Sequence, residues 1–349
     1  LWIASIKTTV GAAVDAFNLF SPNLILHYAI ASTELIDSLQ IRYYEIPDLQ
    51  FFYLPVGQSV LSSVALSFLV CGLATYWFFK GLHRCFFTPE IGAWSKKQSY
   101  FLIGGAEVLI LGLSLQKQTS HYWPDRYASL FLLHLTVFLV AIAALTPHRQ
   151  SLFDWARFRH LQRRDPNTKT RSLAKDLLWR EKSPVLLSIA ANVAIATTIL
   201  SPFAVATFDT NGWEVTVSFI FAANLILIYA AIAQVLLMLK TRKRMMWALG
   251  VVGGLAIVPP IVFNIFIPNS EDGAAALWSL LVFPGFTNEL PARYLSIPAG
   301  ILAAIGQWLV LGLLVLQLTR QLHRAGASQT KTILENNEAL ARKKMTIDA

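Results

Sequence analysis

The sequence predicts an all-α polytopic membrane protein: seven or eight transmembrane helices, a short re-entrant hairpin and cytoplasmic amphipathic helices. Three observations carry that prediction. Only 14% of the 349 residues are charged and 55% are hydrophobic, whereas an average soluble domain is roughly 25% charged. The apolar residues gather in runs long enough to cross a hydrocarbon core of about 30 Å. Lysine and arginine collect in alternate gaps between those runs.

The runs cover residues 54–79, 100–115, 127–145, 184–208, 215–239, 246–268 and 297–318. Residues 8–31 are also apolar but are interrupted by Asp15 and Ser21-Pro22, which leaves an eighth span there open. Residues 274–286, with Trp278 and a closing Pro284-Gly285, are too short to cross and read as a re-entrant hairpin. The chain then divides into a possible first span with an acidic outer segment (1–53), a three-span unit (54–146) and a basic amphipathic segment (147–183). Four further spans with the hairpin (184–319) and a polar tail (320–349) complete it. Leu1 is not a methionine, which leaves open whether sequence precedes it.

The net charge is +9, and its placement is informative. The gaps after the first, third, fifth and last runs hold four, ten, four and six basic residues, 24 of the 29. Positive residues are retained in the cytoplasm during insertion. Strict alternation of seven spans therefore puts these gaps and the C-terminus inside, and Glu34, Asp37, Glu45, Asp48, Asp209, Glu271 and Asp272 outside. Trp77, Trp94, Trp123, Trp179, Trp213 and Trp247 fall at run ends, where an amphipathic indole favours the headgroup layer. Cys71 and Cys85 stand 14 residues apart, about 21 Å along a helix, too far for a disulfide.

Between the third and fourth runs, residues 150–164 form a helical wheel with Leu152, Trp155, Phe158 and Leu161 on one half. Arg149, Arg157, His160, Arg163 and Arg164 occupy the other, and Arg159 is the one misplaced charge. Such a helix lies in the inner headgroup layer or docks on a partner. Nucleic acid is excluded as a partner, because no zinc-finger, RNP or helix-turn-helix signature accompanies the basic face. A second short helix over 173–182 brings Trp179 and Arg180 to the membrane, and Ser183-Pro184 supplies an N-cap and first-turn proline for the next span.

Within the spans, Glu107 stands ten residues from Lys97 and ten from Lys117, near the midplane. A charge there costs about 2.5–3.5 kcal/mol on insertion scales, so it must face protein or water, be paired, or be protonated. His134 lies at similar depth on the next span. A contact between the two serves either as a proton-sensitive or substrate-facing pair or as an inert interhelical hydrogen bond. Asn192, Asn224, Gln234, Asn264 and Gln307 read as interhelical hydrogen-bonding residues. Pro259-Pro260 is expected to kink its span, and Gly104-Gly105 to allow close helix approach. Gly-Lys, His-Glu-x-x-His, Gly-x-Ser-x-Gly and Cys-x-x-Cys are all missing, so no catalytic residue, metal or cofactor is assigned.

Three strings carry a family resemblance: Lys96-Lys97-Gln98-Ser99-Tyr100; Leu145-Thr146-Pro147-His148-Arg149-Gln150 leading into Asp154-Trp155-Ala156-Arg157; and Leu178-Trp179-Arg180-Glu181-Lys182-Ser183-Pro184. Over residues 50–320 the chain resembles cyanobacterial multispan proteins that are themselves similar to membrane subunits of type-2 ATP-binding-cassette (ABC) transporters. The resemblance implies a multi-pass permease of the bacterial inner (plasma) membrane, working as a homo- or heterodimer with a separate ATPase subunit. The segments 150–164 or 173–182 would contact that ATPase, through residues such as Arg149, Trp155, Arg157, Arg163, Arg164, Trp179 and Arg180. The segment 274–286 would be the outer hairpin. Two other classes stand beside this one: an intramembrane enzyme or proton-coupled carrier built on Glu107 and His134, and a non-transporting membrane scaffold.

Overall fold

The structure, a computed structural model, describes residues 50–52, 54–55, 60–88, 91–114, 123–164, 172–207, 212–266, 281–284 and 297–347. The possible span over 8–31, the outer acids named above, Trp278 and Gly285 lie outside the described residues. Apart from its connecting segments the described chain is helical, save for one minimal hairpin, β1 (Gln50–Phe51) paired antiparallel with β2 (Leu54–Pro55). Phe52 at its turn has a φ of 50° and donates its N–H to the Gly112 carbonyl at 3.0 Å, which ties the hairpin to a helix.

Among the described residues nine helices follow: α1 (Val60–Phe87), α2 (Lys96–Ser114), α3 (Trp123–Leu145), α4 (Arg149–Arg164), α5 (Leu173–Trp179), α6 (Leu186–Thr207), α7 (Gly212–Leu237), α8 (Arg244–Phe266) and α9 (Ile297–Ile347). The first apolar run was expected to begin helically near residue 54. The hairpin takes residues 50–55 instead, and α1 starts at Val60 and continues to Phe87.

Among the described residues, three helical stretches are long and apolar enough to cross a membrane: Thr216–Leu237, Arg244–Val262 and Pro298–Ala327. The number rises to four if the bent pair Leu130–Leu145 and Arg149–Gln162, 67° apart, is taken as one span. This is fewer than the seven or eight expected, and the reasons are local. The 19 residues of α2 include Lys96, Lys97 and Glu107, and the apolar part of α6, Leu186–Pro202, is short.

The helices differ in how much of their surface the bundle covers. The apolar stretch of α7 is 67% buried, whereas those of α8 and α9 are 28% and 17% buried. That contrast makes α7 the central helix, packed by α3, α6, α8 and α9, and leaves the outer faces of α8 and α9 apolar and uncovered. The main core joins Ile103 of α2, Phe131 and Phe138 of α3, Ile189 of α6, and Ile226 and Tyr229 of α7. Phe283 inserts into it beside Phe131, with ring centroids 6.4 Å apart. Of the segment read as a re-entrant hairpin, residues 281–284 are thus seen, with Val282, Phe283 and Pro284 buried.

Three local expectations meet the structure differently. Helix α8 runs through Pro259-Pro260 to Phe266 without interruption. A Cβ on Gly104 would sit 3.6 Å from Ile195 of α6, so that glycine faces a neighbouring helix, while nothing stands within 4 Å of the same position on Gly105. Ser183 does not serve α6 as an N-cap. Its hydroxyl has the Asp176 and Arg180 carbonyls at 2.8 and 2.7 Å to donate to, and the Val185 N–H at the start of α6 donates to Gln234 Oε1 of α7 at 3.2 Å.

Candidate functional site

The buried face of α2 repeats at Lys96, Ser99, Ile103 and Glu107, three and four residues apart, so one helical stripe delivers all four side chains to the interior. Glu107 is completely buried, and His134 of α3 meets it with Nδ1 2.9 Å from Oε1. The imidazole also leans on Phe138, with ring centroids 4.8 Å apart. The second carboxyl oxygen, Oε2, is buried with no hydrogen-bond partner. A buried acid and an imidazole in direct contact can pass a proton between them, and the uncommitted oxygen can accept a further donor.

Toward the start of α2, Asn192 of α6 donates through Nδ2 to Ser99 Oγ at 3.0 Å, and Ser99 donates to the Lys96 carbonyl at 2.8 Å. Lys96 itself is 2% exposed. Its Nζ donates to the Leu177 carbonyl at 2.5 Å, Ser183 Oγ at 2.7 Å and the Pro184 carbonyl at 3.0 Å. These three acceptors match the three N–H bonds of an ammonium. Burial pulls the Lys96 pKa from 10.5 down to about 7, against the opposing pull of Glu181. The start of α2 is further fixed by a reciprocal cap, in which the Ser95 N–H donates to Gln98 Oε1 and the Gln98 N–H to Ser95 Oγ.

Around Lys96 the α4–α5 segment is tied into one unit. Asp176 of α5 is buried, with Arg159 of α4 at 3.3 Å and Arg180 at 3.6 Å. Arg159, the charge that seemed misplaced on the wheel, therefore has its partner on the next helix. Arg84 of α1 pairs with Glu181 and donates to the Gly92 carbonyl. Tyr100 donates to the Leu178 carbonyl at 2.7 Å, with the Trp179 ring edge-on to it.

Helix α4 packs on α9 through Leu152, Ala156 and His160, spaced by four, rather than through its whole apolar half. Leu152 joins Val235, Met238 and Leu318 in a small core. Phe158 and Leu161 stay 46% and 45% exposed. Arg149 lies over the Phe153 ring, Arg157 pairs with Asp154 at 3.0 Å, Arg180 lies over Phe158, and Lys97 lies over Trp179. Trp155 is half-buried and its Nε1 has no acceptor. Arg163 and Arg164 close α4, with side chains outside the described set.

The structure thus brings Glu107 and His134 together, and gathers Trp155, Trp179 and Arg180 around one open cavity of about 670 Å³ on the α4–α5 face. A second polar contact joins α7 to α9, where Asn224 donates to Gln307 Oε1 and accepts from Trp308 Nε1, both at 3.0 Å. Sequence reasoning missed Lys96, Asp176 and the roles of Ser183 and Gln234. The Ser-x-x-Gln spacing at Ser95 was a readable signal for the α2 cap, whereas nothing local marks Asp176 as the partner of two arginines. Among the described residues, no three His, Cys, Asp or Glu side chains gather as a metal site. The chain matches no family model, and no curated protein or solved structure is significantly similar to it.

Proposed function

We propose that this chain is the membrane-spanning permease subunit of an ABC-type transporter, powered by a separate ATPase. In this reading it crosses a bacterial inner membrane seven or eight times, with its C-terminus in the cytoplasm, and pairs with a second membrane subunit. The supporting observation is the way the α4–α5 segment is attached. Lys96 fastens it to the base of α2 through the Leu177 carbonyl and Ser183, the Arg159–Asp176 pair joins α4 to α5, and Leu152 and Ala156 seat it on α9. A displacement applied to this segment is carried to several helices at once, because packed interiors move as units. Its outer side keeps Phe158, Leu161 and Trp179 exposed among basic residues, a composition suited to protein contact.

The test is purification of the tagged full chain from its native membranes, with ATP hydrolysis measured in the eluate. Co-purifying ATPase activity, lost when Arg157, Arg163 and Arg164 are replaced by Glu, is the expected result. No hydrolysis above background, in a preparation that retains the folded chain, overturns the reading.

A second reading, a proton-coupled carrier or intramembrane enzyme, is favoured by one specific observation: the partnerless Oε2 of fully buried Glu107. Proteoliposomes holding a pH-sensitive dye are the test. Proton entry driven by an imposed potential and lost in Glu107→Gln supports it; equal entry in the two proteins removes it.

A further inference from the structure

Where α4 passes α9, the helices leave a cavity of about 480 Å³, within the roughly 300–1,000 Å³ range of small-ligand sites. Its walls are aliphatic, with Leu177 of α5, Leu187 of α6, Leu227 of α7, and Leu311, Val315 and Leu322 of α9. At Leu187 and Leu173 the lining continues into exposed apolar surface, so the cavity is open to a molecule arriving along the outside of the bundle.

The polar part of the lining is basic or neutral, with Thr319 beside the bases and Arg159 keeping Asp176 as its partner at 3.3 Å. Arg159, His160 and His323 contribute to it, and no carboxylate does among the described residues. The two imidazoles stand edge to face, with ring centroids 6.0 Å apart, one from α4 and one from α9. Trp155 lines the same space, and its buried indole N–H has no acceptor. A buried donor left unmatched costs about 1–3 kcal/mol, so an acceptor placed beside it would be favoured.

These features select between ligand classes. A small anion would use the N–H donors of Arg159 and Trp155 and leave the leucine walls in contact with water. A plain hydrocarbon would fill the walls and leave the indole unmatched. A molecule with a hydrocarbon chain and an anionic acceptor head satisfies both halves. We infer that this cavity holds an acyl chain of an anionic phospholipid, with the phosphate beside Arg159, His160 and His323 and accepting a hydrogen bond from Trp155 Nε1. The lipid then bridges α4 and α9, filling the gap between the inner segment and the bundle.

The full chain, purified in detergent, is titrated with phosphatidylglycerol and with phosphatidylcholine of the same acyl chains, and retained lipid is read by native mass spectrometry. Phosphatidylglycerol is expected to bind about tenfold more tightly, a difference of ~1.4 kcal/mol. Val315→Trp, which fills the walls, and Trp155→Phe, which removes one N–H and keeps the aromatic body, are each expected to weaken it by about that factor. Equal binding of the two lipids overturns the proposal, as does phosphatidylglycerol binding unchanged in Trp155→Phe. Displacement by inorganic phosphate alone also overturns it, in favour of a free-anion site. If Val315→Trp fails to fold, as judged by circular dichroism, Trp155→Phe alone decides.

Discussion

Gly326 of α9 comes so close to Ala156 of α4 that a Cβ at that glycine would lie 2.9 Å from the Ala156 carbonyl oxygen. Backbone, not a flexible side chain, stands in the way, so the two helices must separate to admit any larger residue. Gly326→Val is expected to lower stability by about 1–3 kcal/mol, the range for overpacking. Gly250→Val in α8, where nothing lies within 4 Å, is the matched control and is expected to show no such loss. Thermal unfolding in detergent separates the two.

Lys96 predicts a pH dependence. Its folded pKa of about 7 lies below the ordinary 10.5, so between those values the unfolded chain binds more protons than the folded one, and stability rises with pH across that window. Below about pH 7 both states carry the proton and the burial penalty is fully present. The Tm of the parent is expected to climb from pH 7 to pH 9.5 relative to that of Lys96→Met, which lacks the titrating group. Parallel profiles for the two proteins would show that the ammonium is not desolvated.

Asp176→Ala is expected to lower stability by about 3 kcal/mol, the low end of the cost of removing one partner from a buried pair, because it strips Arg159 and Arg180 of a shared carboxylate. Asp176→Asn, which keeps an acceptor, is expected to lose less. Denaturant titration of both variants gives the comparison.

Glu107→Ala and His134→Ala each leave a buried partner unmatched and are expected to cost about 1–3 kcal/mol apiece. The double variant is expected to cost less than their sum by about 0.5–3 kcal/mol, the coupling found for residues in direct contact. Additive losses would mean that the 2.9 Å contact contributes nothing.

Orientation is testable without knowing a substrate. In a variant lacking Cys71 and Cys85, single cysteines at residues 209 and 243 are expected to react with an impermeant reagent from opposite sides of sealed vesicles.

What the sequence made legible follows from the range of the interactions involved. Helix α4 was readable because its wheel lies within one stretch of chain, and α4 at Arg149–Arg164 lies within a residue of the expected 150–164. Glu107 and His134 could be paired by depth alone, since ten-residue offsets from flanking lysines fix height in a bilayer. Which stripe of α4 touches α9 was not readable, because it depends on Gly326, 170 positions after Ala156. The clamp on Lys96 was likewise hidden, since its acceptors are two backbone carbonyls and a serine more than 80 residues away.

Helix α9 is a single uninterrupted helix of 51 residues, about 77 Å long at 1.5 Å per residue, more than twice the roughly 30 Å thickness of a hydrocarbon core. It is held at Gln307 and Trp308 by Asn224 and, 19 residues further on, by the seat of α4 near Gly326, with 21 residues of helix beyond. A tilt of the end near Ile347 about that seat would therefore swing the opposite arm by a similar distance and strain the Asn224 contacts at the centre of the bundle.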